Sequence, residues 1–419
     1  MDSRGEPYSR KIIGGVVAGY RAKAALSFIR RSGGAPSPHG ADPVGHMLYL
    51  MAEEPEVVSR CRWFLEPVDY LTMCFTGRAA ASHASMTAAW LTDNRRLDKV
   101  AYDDALVRLA RLDASRLPPL VPTGSVVGPV SEAVAAELGL PGTVEVVTGM
   151  PDLHTAACGA GAVGELETHL AVSTSSWIGA PVGRKKTDPI RQIASVPGLG
   201  LRSGAGSEAP GYLIADNHET AGLCLDWLRD CVLGAPGGEV LGYEALLELA
   251  ALSPPGAGGI LFTPWLNGER SPVDDRRARG GFHNISTAAA RPDLARAVLE
   301  GVAFNDRWLH AAVERFAGRR LDPIRMIGGG AQSDLWCQIH ADVMDRTIER
   351  VRDPMHANLR GAAIFAGLSL GALAPGDVRG LVEVDAAFEP DPGNRTVYDR
   401  LYEELPKLYR SQRRMFARL

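Results

Sequence analysis

No stretch of this 419-residue chain approaches the roughly 20 consecutive apolar residues that cross a bilayer, and its polar start, MDSRGEPYSRK, has no apolar leader core behind it. A membrane is therefore not an expected partner, and the cytoplasm is the expected location. An excess of positive charge is missing as well. The 45 basic and 49 acidic residues leave a formal charge of −4, and basic runs are short, which argues against nucleic acid as a partner. Cysteine is scarce and scattered: Cys61, Cys74, Cys158, Cys224, Cys231 and Cys337 form no C-x-x-C pair. That spacing offers neither a zinc site nor a disulfide framework, and the six read as free buried thiols. Two nucleotide-binding designs are also excluded, because neither G-x-x-x-x-G-K-[ST] nor a G-x-G-x-x-G after the first strand is present.

What is present is enough apolar material, 46% of residues, for a sizeable core, and enough length for two domains. From Lys23 to Leu117 the apolar positions recur at three and four, the period of amphipathic helices. The texture then changes. GTVEVVTG (142–149) is a β-branched run between glycines, THLAVSTSSWIGAPV (168–182) reads as two strands around a polar turn, and IRMIGGG (324–330) is a strand running into glycines. RPDLARAVLEGVAFNDRWLHAAVERFAG (291–318) predicts a long helix with Asp293 placed to cap it, and SDLWCQIHADVMDR (333–346) another with Ser333 as N-cap. Alternation of this kind predicts α/β layers. The shift between Gly164 and Thr168 marks a domain boundary, giving residues 1–164 and 165–419. APGG (235–238) and PPGAGG (254–259) read as loops.

Three features carry chemistry. GMPDLHTAACGAG (149–161) sets one carboxylate, Asp152, ahead of residues too small for an ordinary core. VSTSSW (172–177) offers hydroxyls and backbone N–H groups at a strand-to-strand turn, and GGGAQSDLW (328–336) is a glycine turn opening a helix. Each turn alone is compatible with plain packing. Together they suit phosphoryl transfer between two lobes, in which the protein positions a nucleotide while one carboxylate takes the proton of the attacking hydroxyl.

PDLHTAACGAGAV (151–163), STSSW (173–177), FTPWLNGERSPVDDRRARGGF (262–282), LEGVAFNDR (299–307) and GGGAQSDLWCQIHADVMDR (328–346) occur in that order, and with them the chain resembles the FGGY family of carbohydrate kinases, in particular its xylulokinase-like members. The resemblance implies an α/β fold of two ribonuclease-H-like, actin-like ATPase domains with a cleft between them. It implies transfer of the γ-phosphate of ATP, with Mg2+, to a hydroxyl of a pentulose or related sugar or polyol, and it leaves homodimerisation open. By the resemblance Asp152 is the general base and touches the sugar. Ser173, Thr174 and Ser175 are a phosphate loop, Gly328, Gly329, Gly330 and Ala331 are the adenosine turn, and Gly361, Ala362 and Ala363 allow close packing near the hinge. The metal ligands stay unassigned. The family's opening D-x-G-T-T/S loop has no counterpart ahead of MDSRG, so the resemblance implies a first domain incomplete at its start, with a non-catalytic sugar- or nucleotide-binding protein as the alternative. Ser173 stands where the family has glycine, which requires a negative φ there.

Quieter readings accompany these. Asp152 also suits the N-cap of a helix beginning at Leu153, and His154 a structural role. Glu269 and Arg270 read as a local ion pair in preference to a sugar contact. Asp216, Asn217 and His218 read as polar residues before a helix or as lining of the nucleotide side, Lys185 and Lys186 as a solvated turn or as cations attracting ATP, and both sets stay unassigned.

Overall fold

The amphipathic spacing of the first third becomes six helices: α1 (Glu6–Ile12), α2 (Ala22–Ser32), α3 (Pro43–Glu53), α4 (Pro55–Arg60), α5 (Pro67–Thr76) and α6 (Asp104–Leu109). Proline opens α3, α4 and α5, where its missing N–H leaves no helical bond unmade. A short strand, β1 (Gly14–Val17), interrupts them, and Ile13, Phe28, Leu91 and Leu106 form the fully buried centre of their core. The structure, a computed structural model, describes residues 2–17, 19–189, 191–200, 210–234 and 241–419; the loop expected at 235–238 lies outside the described residues.

Next come β2 (Val126–Pro129), α7 (Glu132–Leu138) and β3 (Glu145–Val147), with β2 and β3 pairing antiparallel, and then α8 (Asp152–Gly159). The second half alternates strands and helices. It runs β4 (Thr168–Val172), β5 (Ser176–Val182), β6 (Thr187–Asp188), β7 (Ile193–Pro197), β8 (Tyr212–His218), α9 (Leu223–Trp227), α10 (Tyr243–Ala251), β9 (Leu261–Thr263) and β10 (Gly281–His283). It ends with α11 (Arg291–Ala317), β11 (Ile324–Ile327), α12 (Asp334–Met344), β12 (Ile348–Val351), α13 (Ala357–Ser369), α14 (Pro375–Leu381), β13 (Val384–Phe388) and α15 (Arg395–Phe416).

Eight of these strands form one mixed sheet in the order β13-β12-β11-β4-β5-β8-β7-β6. β11 runs parallel to both β12 and β4, and the remaining pairs are antiparallel. One face is covered by α11 and α12 with α10 and α15, the other by α8 and α13, which gives the three-layer α/β arrangement expected from the alternation. The long helix forms as its sequence predicts: Asp293 Oδ2 accepts from Ala290 N at 2.9 Å at the start, and Gly318 closes the end at φ +81°. It is no surface helix, since 17 of its 27 residues are buried, Arg296, Glu300, Asn305, Asp306 and His310 among them. Ser333 caps α12 by accepting from Trp336 N at 3.1 Å.

α8 and α13 cross at close range. A Cβ on Gly361 would overlap the Thr155 carbonyl oxygen, and one on Gly159 would overlap that of Ala357, so each helix places a glycine against the other's backbone. Arg360 donates from Nε and Nη2 to Gly159 O at 3.0 and 2.8 Å, and Arg325 Nη1 donates to Ala160 O at 2.9 Å. Two guanidinium groups thus satisfy the carbonyls at the negative end of α8.

The cysteines are free, as expected, but only Cys158, Cys224 and Cys337 are buried. Cys61 is half-buried, while Cys74 on α5 and Cys231 after α9 are exposed.

Candidate active site

β4 and β11 lie side by side and parallel, with Ala171 opposite Ile327, so whatever follows them emerges at the same edge of the sheet. After β4 comes the hairpin Ser173-Thr174-Ser175; after β11 comes the turn Gly328–Ala331. The two share a floor: a Cβ on Gly328 would overlap Val172 O, and one on Gly330 would meet the Val172 side chain at 2.6 Å. Gly328 holds φ +88° and ψ −176°, a conformation that a side chain resists. Crevices at the carboxyl ends of parallel strands are the usual ligand positions of α/β sheets.

The hairpin is built to present N–H groups. Ala221 N and Leu223 N donate to Thr174 O at 2.9 and 3.2 Å, and Gly222 N donates to Ser173 O at 2.7 Å, so the loop's carbonyls are occupied by the start of α9. Ser173 N closes the turn onto Ser175 O at 2.8 Å, and Ser173 keeps a negative φ, as the serine in this position requires. Among the described residues no acceptor takes Thr174 N or Ser175 N, and Thr174 is exposed. In the second turn Gly328 N donates to Pro354 O at 3.0 Å, which docks it on the residues leading into α13. The hairpin's unoccupied amides, beside the glycine turn on the same edge, form an anion cradle.

Asp152 is exposed and stands as the first residue of α8, with Pro151 as N-cap. This corrects the N-cap reading. Pro151 takes the extended conformation of a cap at ψ 154°, and Asp152 Oδ1 accepts from the adjacent Leu153 N at 2.8 Å instead. A carboxylate here is favoured by the positive end of the helix dipole. No hydrogen bond joins Asp152 to either loop among the described residues. What links them is α8 itself, whose far end at Gly159 abuts Ala357 beside the turn that docks Gly328, roughly 10 Å along the axis from Asp152. Thr155 Oγ1 ties the middle of α8 to Asn358 Oδ1 at 3.0 Å. His154 is structural, as expected: fully buried, with Nε2 2.7 Å from Pro197 O, and pushed down to about 4 by burial.

Three other readings are refined. Glu269 is fully buried and makes no ion pair with Arg270; it accepts from Arg270 N at 2.8 Å and faces His218 Nδ1 at 3.1 Å, while Arg270 Nη1 reaches Asn217 Oδ1 at 3.2 Å. Burial excludes sugar contact by Glu269. Asp216, Asn217 and His218 do precede a helix, α9, but as the last residues of β8, whose extended pairing with β5 continues to Ser176 opposite His218. Burial pushes the Asp216 carboxyl up to about 7. Lys185 and Lys186 follow β5 at the sheet edge away from the hairpin and are engaged there. Lys185 Nζ donates to Ile29 O at 3.1 Å and Lys186 Nζ to Phe316 O at 2.6 Å, so neither ammonium is free to attract phosphate, although Lys186 remains exposed as a solvated turn requires.

Sequence reasoning missed the polar residues behind the hairpin. Ser176 Oγ donates to Asp306 Oδ1 at 2.6 Å, and His340 Nε2 lies 3.0 Å from Asp306 Oδ2, all three fully buried. The available signal was the Asn305-Asp306 pair directly after LEGVAF, polar residues in a helix that should bury that face.

A mixed sheet between helical layers, with two amide-bearing loops on one edge and a second lobe alongside, defines an actin-like phosphotransferase. The sequence model of the FGGY family of carbohydrate kinases, N-terminal domain, matches residues 29–159, and that of its C-terminal domain matches 174–370. A xylulose kinase of Staphylococcus epidermidis is 32% identical over 383 residues, covering 89% of this chain and 72% of the relative. The crystal structure of xylulose kinase from Rhodospirillum rubrum superposes with a TM-score of 0.78 at 28% identity, covering 94% of this chain and 76% of that one. A gluconate kinase from Lactobacillus acidophilus shares the fold at a TM-score of 0.82 and 21% identity, over 98% of this chain and 78% of that one. The chain belongs to the FGGY family of carbohydrate kinases and is a phosphotransferase of two-domain, actin-like fold. No helix among the described residues is long and apolar enough to cross a membrane.

Proposed function

We propose that this cytoplasmic kinase, with domains 1–164 and 165–419, phosphorylates a pentulose of the xylulose type from ATP. The observation that carries the reading is the shared floor at Val172, which brings the hairpin 173–175 and the turn 328–331 to one sheet edge. Gly328, Gly329, Gly330 and Ala331 take the adenosine end of the nucleotide, where a side chain would intrude, and the N–H groups of Thr174 and Ser175 receive phosphate oxygens. Asp152 accepts the proton of the attacking sugar hydroxyl as its oxygen bonds to the γ-phosphorus and the bond to the β–γ bridging oxygen breaks, leaving ADP. Its exposed carboxylate, free of any cation partner among the described residues, suits that task.

Among the described residues no group of three or more acidic, histidine or cysteine side chains forms a metal cage. Mg2+ is usually bound by one or two carboxylates together with substrate phosphates and waters. The ion, when bound with the nucleotide phosphates, would neutralise charge on the transferring phosphoryl group, and no side chain of the chain is assigned to it. A coupled ADP-release assay with xylulose, ribulose, gluconate and glycerol tests the reading. Xylulose is expected to give the highest kcat/KM. Sugar-dependent ADP release highest with gluconate or glycerol refutes the pentulose assignment, and release with none of the four refutes the kinase site as drawn.

A further inference from the structure

Behind the hairpin lies a set of ionisable side chains that the phosphoryl-transfer reading leaves unused. His218, Glu269, Asp306 and His340 are all at most 1% exposed in their side chains. Glu269 Oε2 stands 3.1 Å from His218 Nδ1 and accepts from Asn305 Nδ2 at 2.6 Å. The other imidazole nitrogen of His218 faces Asn305 O at 3.0 Å and Asp306 Oδ1 at 3.7 Å. Trp265 Nε1 donates to Asn305 Oδ1 at 3.2 Å, which fixes the orientation of that amide. His340 spans from Trp336 O at 2.8 Å to Asp306 Oδ2 at 3.0 Å. Burial opposes a charge on His218, but the carboxylates of Glu269 and Asp306 outweigh it and raise its pKa above the usual imidazole range. Asn305 Nδ2 also stands 3.0 Å from His218 Nδ1, so every polar group of the set has a partner.

This set touches the hairpin at both ends. Asp306 accepts from Ser176 Oγ, at the residue where the hairpin re-enters β5. Glu269 Oε1 accepts from Glu219 N at 3.3 Å, just ahead of the segment whose amides hold the carbonyls of Ser173 and Thr174. We propose that Asp306 and Glu269, joined through His218, are positioning residues that fix the hairpin 173–175 so that its free amides meet the nucleotide phosphates. Neither carboxylate touches the nucleotide; both act through backbone they hold. The idea rests on the phosphate role of the hairpin given above.

The test separates phosphate binding from adenosine binding. Affinities of the full chain for ATP, ADP and adenosine are measured by calorimetry, alongside those of Ser176→Ala, Ser176→Thr and Glu269→Gln. The parent is expected to bind ATP and ADP more tightly than adenosine. Ser176→Ala and Glu269→Gln should lose about tenfold or more in ATP and ADP affinity, in the range typical of supporting-shell changes, while adenosine stays within about twofold. Ser176→Thr, which keeps the hydroxyl, should recover most of the loss. Equal losses for adenosine, or ATP affinities unchanged in both variants, would overturn the positioning role. A parent that fails to distinguish ATP from adenosine would instead refute the phosphate role of the hairpin, and the proposal with it. If Glu269→Gln does not fold, Ser176→Ala, a one-atom change at a strand end, decides alone.

Discussion

Replacing Gly361 by alanine should damage this enzyme, whereas the same change at Gly380 should strengthen it. Both glycines lie inside helices, α13 and α14, and neither has a positive φ. In each case alanine therefore gains about 1 kcal/mol of helix propensity. At Gly380 the new methyl meets nothing within 4 Å, so the gain stands. At Gly361 it overlaps the Thr155 carbonyl oxygen and crowds Gly159 N at 2.8 Å, both backbone atoms of α8. Those atoms cannot rotate away, and Arg360 and Arg325 hold the end of α8 in place. Overpacking against such a partner belongs at the upper end of the usual range, about 3 kcal/mol, which leaves a net loss of about 2 kcal/mol. For a unit of this size that is a drop of about 4–8 °C in Tm. Relief by separation of the helices moves α8, and with it Asp152, by about 1 Å, enough to lower kcat by about 10²-fold. Differential scanning calorimetry with a steady-state ADP-release assay reads both effects. A Gly361→Ala protein that melts at or above the parent and turns over normally would show that the α8–α13 crossing neither limits packing nor sets the position of the acid.

Asp152→Asn should keep ATP affinity, because asparagine still accepts from Leu153 N, yet lose at least about 10²-fold in kcat; unchanged turnover in the sugar-kinase assay would make the acid purely structural. Gly329→Val should abolish the thermal protection given by ATP. A Cβ there meets only Met355 Sδ at 3.4 Å, so the free protein tolerates the side chain and the loss reports on the ligand; equal protection of variant and parent would refute the adenosine turn. His154, His169 and His310 are pushed down to about 4 by burial, so between about pH 6.5 and 4 the unfolded chain binds protons that the folded one refuses, and each imidazole removes about 1.4 kcal/mol of stability per pH unit as pH falls. Asp216, raised to about 7, acts in the opposite sense over the same range, so the informative quantity is the difference between parent and His169→Leu. Urea midpoints at about pH 5, 6 and 7 should show a shallower dependence in the variant, and parallel curves would contradict a neutral buried His169.

The elements with strong periodicity or obvious punctuation were legible in the residues. The hairpin around STSS, the strand IRMI and the helices opened by Asp293 and Ser333 fall where alternation, glycine and capping residues place them. Local signals failed where long-range partners decide the outcome. Glu269 and Arg270 are adjacent and oppositely charged, yet Glu269 is drawn inward by His218 and Asn305 from β8 and α11, which no local pattern reveals. Lys185 and Lys186 looked solvated because their carbonyl partners, Ile29 and Phe316, lie more than a hundred residues away in opposite directions. ADNH reads only as a polar segment ahead of a helix, because no local pattern shows that the sheet buries Asp216 and His218 on one side. The chemistry-bearing loops could be found from composition; the polar residues that support them required the fold.

The glycine-to-glycine crossing also sets a timetable for synthesis. Six of the eight residues of α8 are buried in the finished protein, and the partner that covers them starts at Ala357, about 200 residues later on the messenger. At roughly 5–20 residues per second the ribosome needs about 10–40 s to deliver α13 after α8 has emerged. For that interval the nascent chain carries a helix of small apolar residues with no mate, and β4 waits nearly as long for β11, its parallel neighbour in the sheet. Ribosome-associated chaperones are therefore expected on chains stalled between these two points, and to leave once residues past Ser369 are clear of the exit tunnel.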